Sequence, residues 1–231
     1  MSSNKFVELF EEMGGENYDN SNKRFKPISD NLHFLNNLIL RDLPNDAVIL
    51  CVGVGTGADI IHLAKENEGW QFVGIDPSSA MLERCVANLK SEGLEHRCEL
   101  FHGHLSDYKD NEKFDAVLSL FVMHFIEKLS LREKVYEDIY SLLKLGGRLI
   151  VSEISADFSS NDYPSLLEDW CRLQYTSGPK NESAQRVKDV VENTLEVLSS
   201  KETKDMMKRC GFNDVTEFFQ SFLIKAWHAT K

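Results

Sequence analysis

The chain has 231 residues, of which 42% are hydrophobic and 27% are charged, so it can bury one good core and is expected to form a single domain over residues 1–231. Its formal net charge of -11 and the absence of a Lys/Arg cluster argue against direct binding of nucleic acid, whose phosphates are also negative. No window approaches the apolar length of a membrane span, and the N-terminus lacks a signal-peptide pattern, so a cytoplasmic protein without a membrane partner is expected.

The first 45 residues are predicted to form a helical cap. Apolar residues recur at helical spacing over residues 5–12 and again over roughly residues 20–41. The second run stops at Asp42-Leu-Pro44, because proline cannot continue a helix.

Strands and helices then alternate along the chain. The predicted strands cover residues 47–52, 71–75, 98–102, 114–119 and 147–152. The predicted helices between them cover residues 60–64, 78–90 and 133–143. Near-continuous apolar strands joined by crossover helices are typical of a parallel sheet covered on both faces. The fold class is therefore α/β, doubly wound.

The alternation breaks over residues 155–197, which are interpreted as a lid insertion with a helix over about residues 185–195. A helix over 201–210 follows, then two strand-like runs, 215–220 and 222–229. The short connection between these runs predicts an antiparallel hairpin at the sheet edge. The sheet is thus expected to be seven-stranded and mostly parallel.

The most informative stretch is Val-Ile-Leu-Cys-Val-Gly-Val-Gly-Thr-Gly at residues 48–57. Gly53, Gly55 and Gly57 remove Cβ atoms where a strand turns into a helix, so a ligand can contact the backbone and the free N–H groups of the helix. Asp76 ends the next strand, where its two oxygens can accept from ribose hydroxyls. This pattern predicts a nucleoside-cofactor site, although the glycines also satisfy the dinucleotide fingerprint.

Four segments, in order, resemble the motifs of class I S-adenosylmethionine-dependent methyltransferases. They are Val-Gly-Val-Gly-Thr-Gly (52–57), Gly-Ile-Asp-Pro-Ser-Ser-Ala-Met (74–81), Phe-Asp-Ala-Val-Leu-Ser (114–119) and Leu-Lys-Leu-Gly-Gly-Arg-Leu-Ile-Val-Ser-Glu (143–153). The C-terminal hairpin is also typical of that family and unlike a dinucleotide dehydrogenase. The resemblance implies a Rossmann-like methyltransferase fold, S-adenosyl-L-methionine as the cofactor, and transfer of its methyl group to a small-molecule acceptor.

The resemblance also implies which residues hold the cofactor. They are Gly53, Gly55, Gly57, Asp76, Pro77, Met81, His104, Leu105 and Leu120. The first two glycines and Leu120 would contact the methionine part, and Asp76 would hold the ribose. Pro77 and Met81 would pack on the adenine, with residues 104 and 105 at its edge.

Three positions depart from the family pattern. Cys51 stands where an acidic residue usually supports the ammonium end of the cofactor, and His104 stands where an acid often accepts from the adenine amino group. A neutral imidazole nitrogen can also accept. The cap and lid resemble the branch containing carboxy-S-adenosylmethionine synthase, but Lys188 stands where the synthase uses a carboxylate-binding arginine. Lysine lacks the bidentate fork, although Arg186 is close in sequence.

Three residues are candidates for the acceptor side of the site. His124 follows the fourth strand and is the candidate general base, since an unperturbed histidine has a pKa of about 6.5. Methyl transfer depends mainly on orientation, so a base is optional, and this histidine could instead pack against the lid. Trp170 and Tyr175 could form the acceptor pocket or the lid's own small core.

No metal site is predicted. The five cysteines are scattered and form no CxxC pair, which argues against a disulfide framework and against zinc. His33, His62 and His102 are interpreted as isolated surface or packing residues, because no metal-ligand spacing in the sequence involves them.

The sequence therefore predicts a cytoplasmic methyltransferase that acts on a small, neutral or cationic acceptor. Three alternatives stay open: a carboxy-S-adenosylmethionine synthase that uses prephenate, a non-enzymatic nucleoside-binding protein suggested by Cys51 and His104, and an NAD-dependent dehydrogenase supported by the glycine turn alone. A homodimer is compatible with the sequence, which does not identify the acceptor.

Overall fold

The computed structural model describes residues 5–109, 113–174 and 180–231. Within these residues, seven strands form one sheet in the order β3-β2-β1-β4-β5-β7-β6. The strands are β1 Val48–Val52, β2 Gln71–Asp76, β3 Cys98–His102, β4 Phe114–Leu120, β5 Leu143–Ile154, β6 Asn213–Ser221 and β7 Ile224–Thr230. Strands β1 to β5 pair in parallel, while β7 runs antiparallel to both β5 and β6. The predicted α/β class, the strand number and the C-terminal hairpin are confirmed.

The helices in the described part of the chain surround this sheet. They are α1 Lys5–Met13, α2 Gly15–Asn22, α3 Lys26–Leu40, α4 Ala58–Glu66, α5 Ser79–Ser91, α6 Leu129–Leu142, α7 Tyr163–Gln174, α8 Lys180–Asn193 and α9 Ser200–Arg209. In its described residues the cap contains three α-helices rather than two, because α2 lies mostly between the two predicted runs, and Gly14, with a φ of 71°, separates it from α1. Helix α7 was not predicted.

None of the helices within the described ranges is long and apolar enough to cross a membrane.

The core lies on both faces of the sheet. Successive side chains of β1 alternate between the faces: Leu50 and Val52 pack with residues of α6 and α9, while Ile49 and Cys51 pack with residues of α4 and α5. All seven residues of β4 are buried because this strand lies near the middle of the sheet. The two-sided burial explains the continuous apolar runs in the sequence.

The segment 155–197 forms a third, smaller core with the cap. Trp170 of α7 is buried and stacks on Phe25, which lies between α2 and α3, with 5.6 Å between the ring centroids. Tyr163 and Val191, from α7 and α8, are buried in the same cluster. The position of Trp170 favours the packing role over the acceptor-pocket role, whereas Tyr175 lies outside the described residues.

Candidate cofactor and active site

The three glycines of the turn after β1 are needed for different physical reasons. All three have positive φ, of 71°, 54° and 86° for Gly53, Gly55 and Gly57. A Cβ on Gly53 would lie 2.3 Å from Val122 Cγ2, and one on Gly57 would lie 2.7 Å from Cys85 Sγ. A Cβ on Gly55 would meet no atom within 4 Å, because this glycine faces a cavity. Gly53 and Gly55 line the cavity, whereas Gly57 packs α4 against α5.

Asp76, at the carboxyl end of β2, is anchored by the backbone. Its Oδ2 accepts from the Gly55 N–H at 2.8 Å, and its Oδ1 accepts from the Ser78 N–H at 2.9 Å. Burial raises the pKa of Asp76, and the hydrogen bonds from Ser78 and Gly55 oppose that rise. A carboxylate oxygen has about two lone-pair sites, so each oxygen can accept one further hydrogen bond from a ligand hydroxyl. The geometry therefore fits a ribose diol.

The cavity has a volume of about 360 Å³ and lies at the carboxyl ends of β1, β2 and β4. Ligands of open α/β sheets bind at this edge. Eight of the nine predicted cofactor residues line it: Gly53, Gly55, Asp76, Pro77, Met81, His104, Leu105 and Leu120. The fold thus brings together residues that lie far apart along the sequence, in an enclosure large enough for a small ligand.

Side chains from the cap close one side of the cavity. Phe6 and Phe10 of α1 pack against Phe125, with ring centroids 4.9 and 5.3 Å apart, and Phe10 meets Tyr18 of α2 edge-on at 5.9 Å. Burial, together with nearby carboxylates, raises the pKa of Tyr18 to about 12, so its hydroxyl stays protonated at neutral pH. These wall residues were not predicted as site residues, although the helical spacing over residues 5–12 indicated an apolar helix face.

A glutamate of α1 holds the cap against the cofactor-side loop. The carboxylate of Glu11 accepts from the backbone N–H of Ser79, from its hydroxyl at 3.1 Å, and from the Ala80 N–H at 3.3 Å. These groups form the first turn of α5, where an anion is favoured by the free N–H groups. Burial opposes the ionised form, but the hydrogen bonds outweigh it and lower the pKa of Glu11. These charge-assisted hydrogen bonds hold α1 against the segment that follows Asp76.

His124 lies behind the cavity wall rather than in it. Its neighbours Val122 and Phe125 line the cavity, but His124 is 2% exposed and is absent from the lining. Its Nδ1 accepts from the Ile154 N–H at 3.3 Å. Burial, and then the charge of Arg132, lower its pKa to about 3. The structure therefore favours the packing role for this histidine over the general-base role.

Cys51 is also absent from the cavity wall. It is buried in the core on the face of the sheet that packs with α4 and α5, and burial raises the pKa of its thiol well above the usual value. At neutral pH the thiol carries no charge. This position therefore offers the ammonium end of a cofactor no carboxylate and no thiolate.

Lys188 and Arg186, the candidates for binding the carboxylate in a synthase-like site, do not line the cavity. Lys188 lies on α8, where its Nζ is 3.9 Å from Glu192 Oε2, and Arg186 is exposed on the same helix. The described residues of the cavity wall include one lysine, Lys134, and no arginine. The Nζ of Lys134 is paired with Asp138 Oδ1 at 2.9 Å.

The interpretation of His33 and His62 as isolated residues is wrong. Their rings stack with centroids 4.0 Å apart, although they belong to different helices, α3 and α4. His102 is exposed, and its Nε2 lies 3.1 Å from the Pro77 carbonyl oxygen. The sequence spacing could not reveal the His33–His62 contact, because it depends on how α3 packs on α4.

Comparison with known proteins agrees with this site. The family described as "Methyltransferase domain" matches residues 50–149, which contain the glycine turn and Asp76. Carboxy-S-adenosyl-L-methionine synthase from Nautilia profundicola is 24% identical over 216 residues, covering 94% of this chain and 91% of the relative. The synthase from Shewanella halifaxensis is 30% identical over 183 residues, covering 78% of this chain and 74% of the relative.

The fold also has counterparts among solved structures. An O-methyltransferase family protein from Burkholderia thailandensis aligns with a TM-score of 0.67 at 14% identity, covering 93% of this chain. This chain spans 59% of the length of that protein, so the likeness concerns the shared fold. The motif order, the anchored Asp76 and these relatives lead to one conclusion: the chain belongs to the class I S-adenosylmethionine-dependent methyltransferases, enzymes whose cofactor is S-adenosyl-L-methionine.

Proposed function

We propose that the protein transfers the methyl group of S-adenosylmethionine to a small-molecule acceptor by in-line displacement. The observation that carries this proposal is the cavity itself, which has the anchored carboxylate of Asp76 and the backbone of Gly55 on one side. Its other side consists of aromatic and aliphatic side chains from the cap and from the segment after β4, among them Phe10 and Phe125. A cavity walled in this way orients the reactants bound in it and limits their contact with water.

The residues present fit the cofactor. S-adenosylmethionine, when bound, supplies an electrophilic methyl group on a sulfonium. Asp76 would accept from the two ribose hydroxyls, and Gly55 leaves its backbone open to the ligand. Pro77 and Met81 provide an apolar wall for the adenine ring. The protein then contributes mainly orientation, which supplies effective molarities on the order of 10⁵ to 10⁸ M in well-aligned reactions.

The cavity wall favours a neutral or cationic acceptor with an apolar body. Beyond the cofactor residues, the wall includes Ile126, Leu131 and Val135. Lys134 is neutralised by Asp138, so an anionic acceptor would meet no free Lys or Arg charge from the described wall residues. An unpaired anion in such an enclosure is costly.

A second candidate activity is synthesis of carboxy-S-adenosylmethionine. It is favoured by the relatives of that name, which match most of this chain. The activity would place at least one further carboxylate in the cavity. The positions of Lys188 and Arg186, outside the described cavity lining, rank it below methyl transfer.

One experiment separates the two activities. The purified protein is incubated with S-adenosylmethionine, with and without prephenate, and the ligand retained after washing is identified by mass spectrometry. Retained S-adenosylmethionine or S-adenosylhomocysteine, unchanged by prephenate, supports methyl transfer, which a screen of neutral and cationic acceptors with labelled cofactor then tests. A carboxylated cofactor formed with prephenate would replace the proposal with the second candidate. Retention of the cofactor without turnover of any acceptor would indicate a nucleoside-binding protein.

Glu11→Gln is expected to weaken the affinity for S-adenosylhomocysteine by about tenfold, because amide substitution removes the charge from the contact that closes α1 over the cavity. The measurement is a fluorescence or calorimetric titration. Glu12→Gln is the matched control, since Glu12 is exposed on the same helix and its substitution should leave the affinity unchanged. Equal affinities for the two variants would show that Glu11 does not close the site.

His124→Asn is expected to keep the rate of single-turnover methyl transfer within about threefold of the wild type. The reason is that a buried neutral histidine outside the cavity cannot reach the acceptor to take up its proton. Asparagine can still accept from the Ile154 N–H, so the fold should be retained. The rate is measured with the acceptor found in the screen. A loss of 100-fold or more at unchanged cofactor affinity would restore the general-base role.

A further inference from the structure

Two helices present the same short motif to each other, away from the cofactor cavity. Helix α3 carries Asp30 and His33, three residues apart, and α4 carries Asp59 and His62, also three residues apart. Residues at this spacing lie on one face of a helix. Helix packing brings the two faces together, so the four side chains form a single cluster.

The candidate ligand atoms of the cluster lie close enough together for small side-chain movements to bring them onto one ion. One candidate ligand atom from each of Asp30, His33 and His62 lies within 4.8 Å of the other two. The Nε2 of His62 is 4.0 Å from Asp30 Oδ1, and the Nε2 of His33 is 2.7 Å from Asp59 Oδ1. Within the described residues, no other group of three His, Cys, Asp or Glu side chains has its ligand atoms this close together.

The hydrogen bonds of His33 leave one nitrogen available. His33 is 8% exposed, and its Nδ1 is buried without a hydrogen-bond partner among the described residues. A buried polar atom without a partner is unfavourable, and native structures contain few of them. If Nε2 donates its proton to Asp59, the lone pair of the ring lies on Nδ1. Metal-binding histidines commonly donate their second nitrogen to a carboxylate in this way.

We propose that Asp30, His33 and His62 bind a divalent transition-metal ion of the zinc type, with Asp59 orienting the ring of His33. Two imidazoles and one carboxylate are ligands that zinc accepts, whereas magnesium and calcium prefer sites built from oxygen alone. Asp30 and His62 each have 44% of the side chain exposed, and the ion would replace Lys26, whose Nζ lies 2.6 Å from Asp30 Oδ2, as the partner of that carboxylate.

The ion would connect the N-terminal cap to the Rossmann-like core. Helix α3 belongs to the cap, and α4 starts directly after the glycine turn. Asn37 of α3 already accepts a hydrogen bond at 3.0 Å from Asn67, which follows α4. A metal ion between the same two helices would add a second link between the cap and the core, independently of the reaction that the site performs.

Zinc binding is tested directly, by isothermal titration of the metal-free protein with zinc and by the zinc-induced change of its melting temperature. We expect one ion per chain, and a rise of about 5 to 10 °C at a zinc concentration one hundred times the Kd. His62→Ala and Asp30→Asn should each weaken zinc binding at least tenfold. His96→Ala is the matched control, since His96 is exposed and outside the cluster, and it should bind zinc like the wild type.

Two outcomes would overturn the proposal. One is the absence of saturable zinc binding in the wild type, and the other is binding that survives both His62→Ala and Asp30→Asn. Cobalt substitution identifies the ligand type, because cysteine thiolates give an intense near-ultraviolet charge-transfer band and nitrogen and oxygen ligands do not. A thiolate band would therefore assign the ion to cysteine and reject this site. None of these readouts depends on methyl transfer, so they stand apart from a failure of the proposed function.

Discussion

Asp76→Asn is expected to weaken binding of S-adenosylhomocysteine by about 100-fold, a larger effect than that of Glu11→Gln. The amide has one oxygen instead of two and no charge, so one ribose hydroxyl loses its acceptor and the other loses a charge-assisted bond, each worth roughly 1.5 to 3 kcal/mol. The amide NH₂ would also face the N–H of Gly55 or Ser78, which both donate to the carboxylate. Calorimetric titration measures the change.

Asp115→Asn is the matched control for this substitution. Asp115 is a second aspartate of the sheet with the same exposed fraction, 8% for each residue. Its Oδ2 accepts from the Val48 N–H at 2.9 Å and pairs with Lys144 at 2.8 Å, away from the cavity lining. This variant should lose stability without losing affinity. If both variants weakened binding equally, the effect would come from damage to the sheet rather than from a lost ribose contact.

The same carboxylate predicts a pH dependence of cofactor binding. Burial raises the pKa of Asp76, opposed by the hydrogen bonds from Ser78 and Gly55. Ribose hydroxyls donate to the ionised form, so affinity is present above that pKa and is lost as the pH falls through it. The loss should begin at a higher pH than for an ordinary aspartate and should be absent in Asp76→Asn. An affinity in the wild type that stays constant through the ordinary aspartate range would contradict the assignment.

Arg132→Leu is expected to lower the free energy of unfolding by roughly 3 to 5 kcal/mol, the range observed when one partner of a buried ion pair is removed. Arg132 and Glu153 are both fully buried, with 3.1 Å between Nη1 and Oε2. The Nη2 atom also donates to the carbonyl oxygens of Met123 and Glu196. Burial raises the pKa of Glu153, opposed by Arg132 and a hydrogen bond from Thr203. Urea denaturation measures the loss.

Two further variants show whether burial causes that loss. Arg209→Leu removes an exposed arginine that pairs with Glu133 at 2.6 Å, and should cost less than about 1 kcal/mol. The double variant Arg132→Leu/Glu153→Leu leaves no unpaired buried charge and should recover part of the stability. An equal loss of unfolding free energy in Arg132→Leu and Arg209→Leu would show that burial of the ion pair does not increase its contribution to stability. The network matters for the site because it fixes the carbonyl of Met123, beside the cavity wall.

Most of the sheet could be predicted because its signals are local. Strand β3 has the predicted limits, and β1, β2 and β4 differ from prediction by one residue at one end. Strand β5 starts at Leu143 rather than at residue 147, because Leu143 pairs with Phe114 ahead of an irregular register. The unpredicted helix α7 owes its burial to a cluster shared with the cap, and such a partner is not visible in the sequence around it.

The sequence by itself determined the α/β class, the strand-turn-helix at residues 48–57, and most of the residues around Asp76 that line the cavity. These features depend on short apolar runs, on glycines and on a carboxylate at a strand end, all of which act over a few residues. Tertiary structure alone decided that α1 closes the cavity, that His124 is buried behind its wall, and that His33 meets His62. Burial, pKa and side-chain contact are properties of the packed state, in which residues far apart in the chain become neighbours and lose their water.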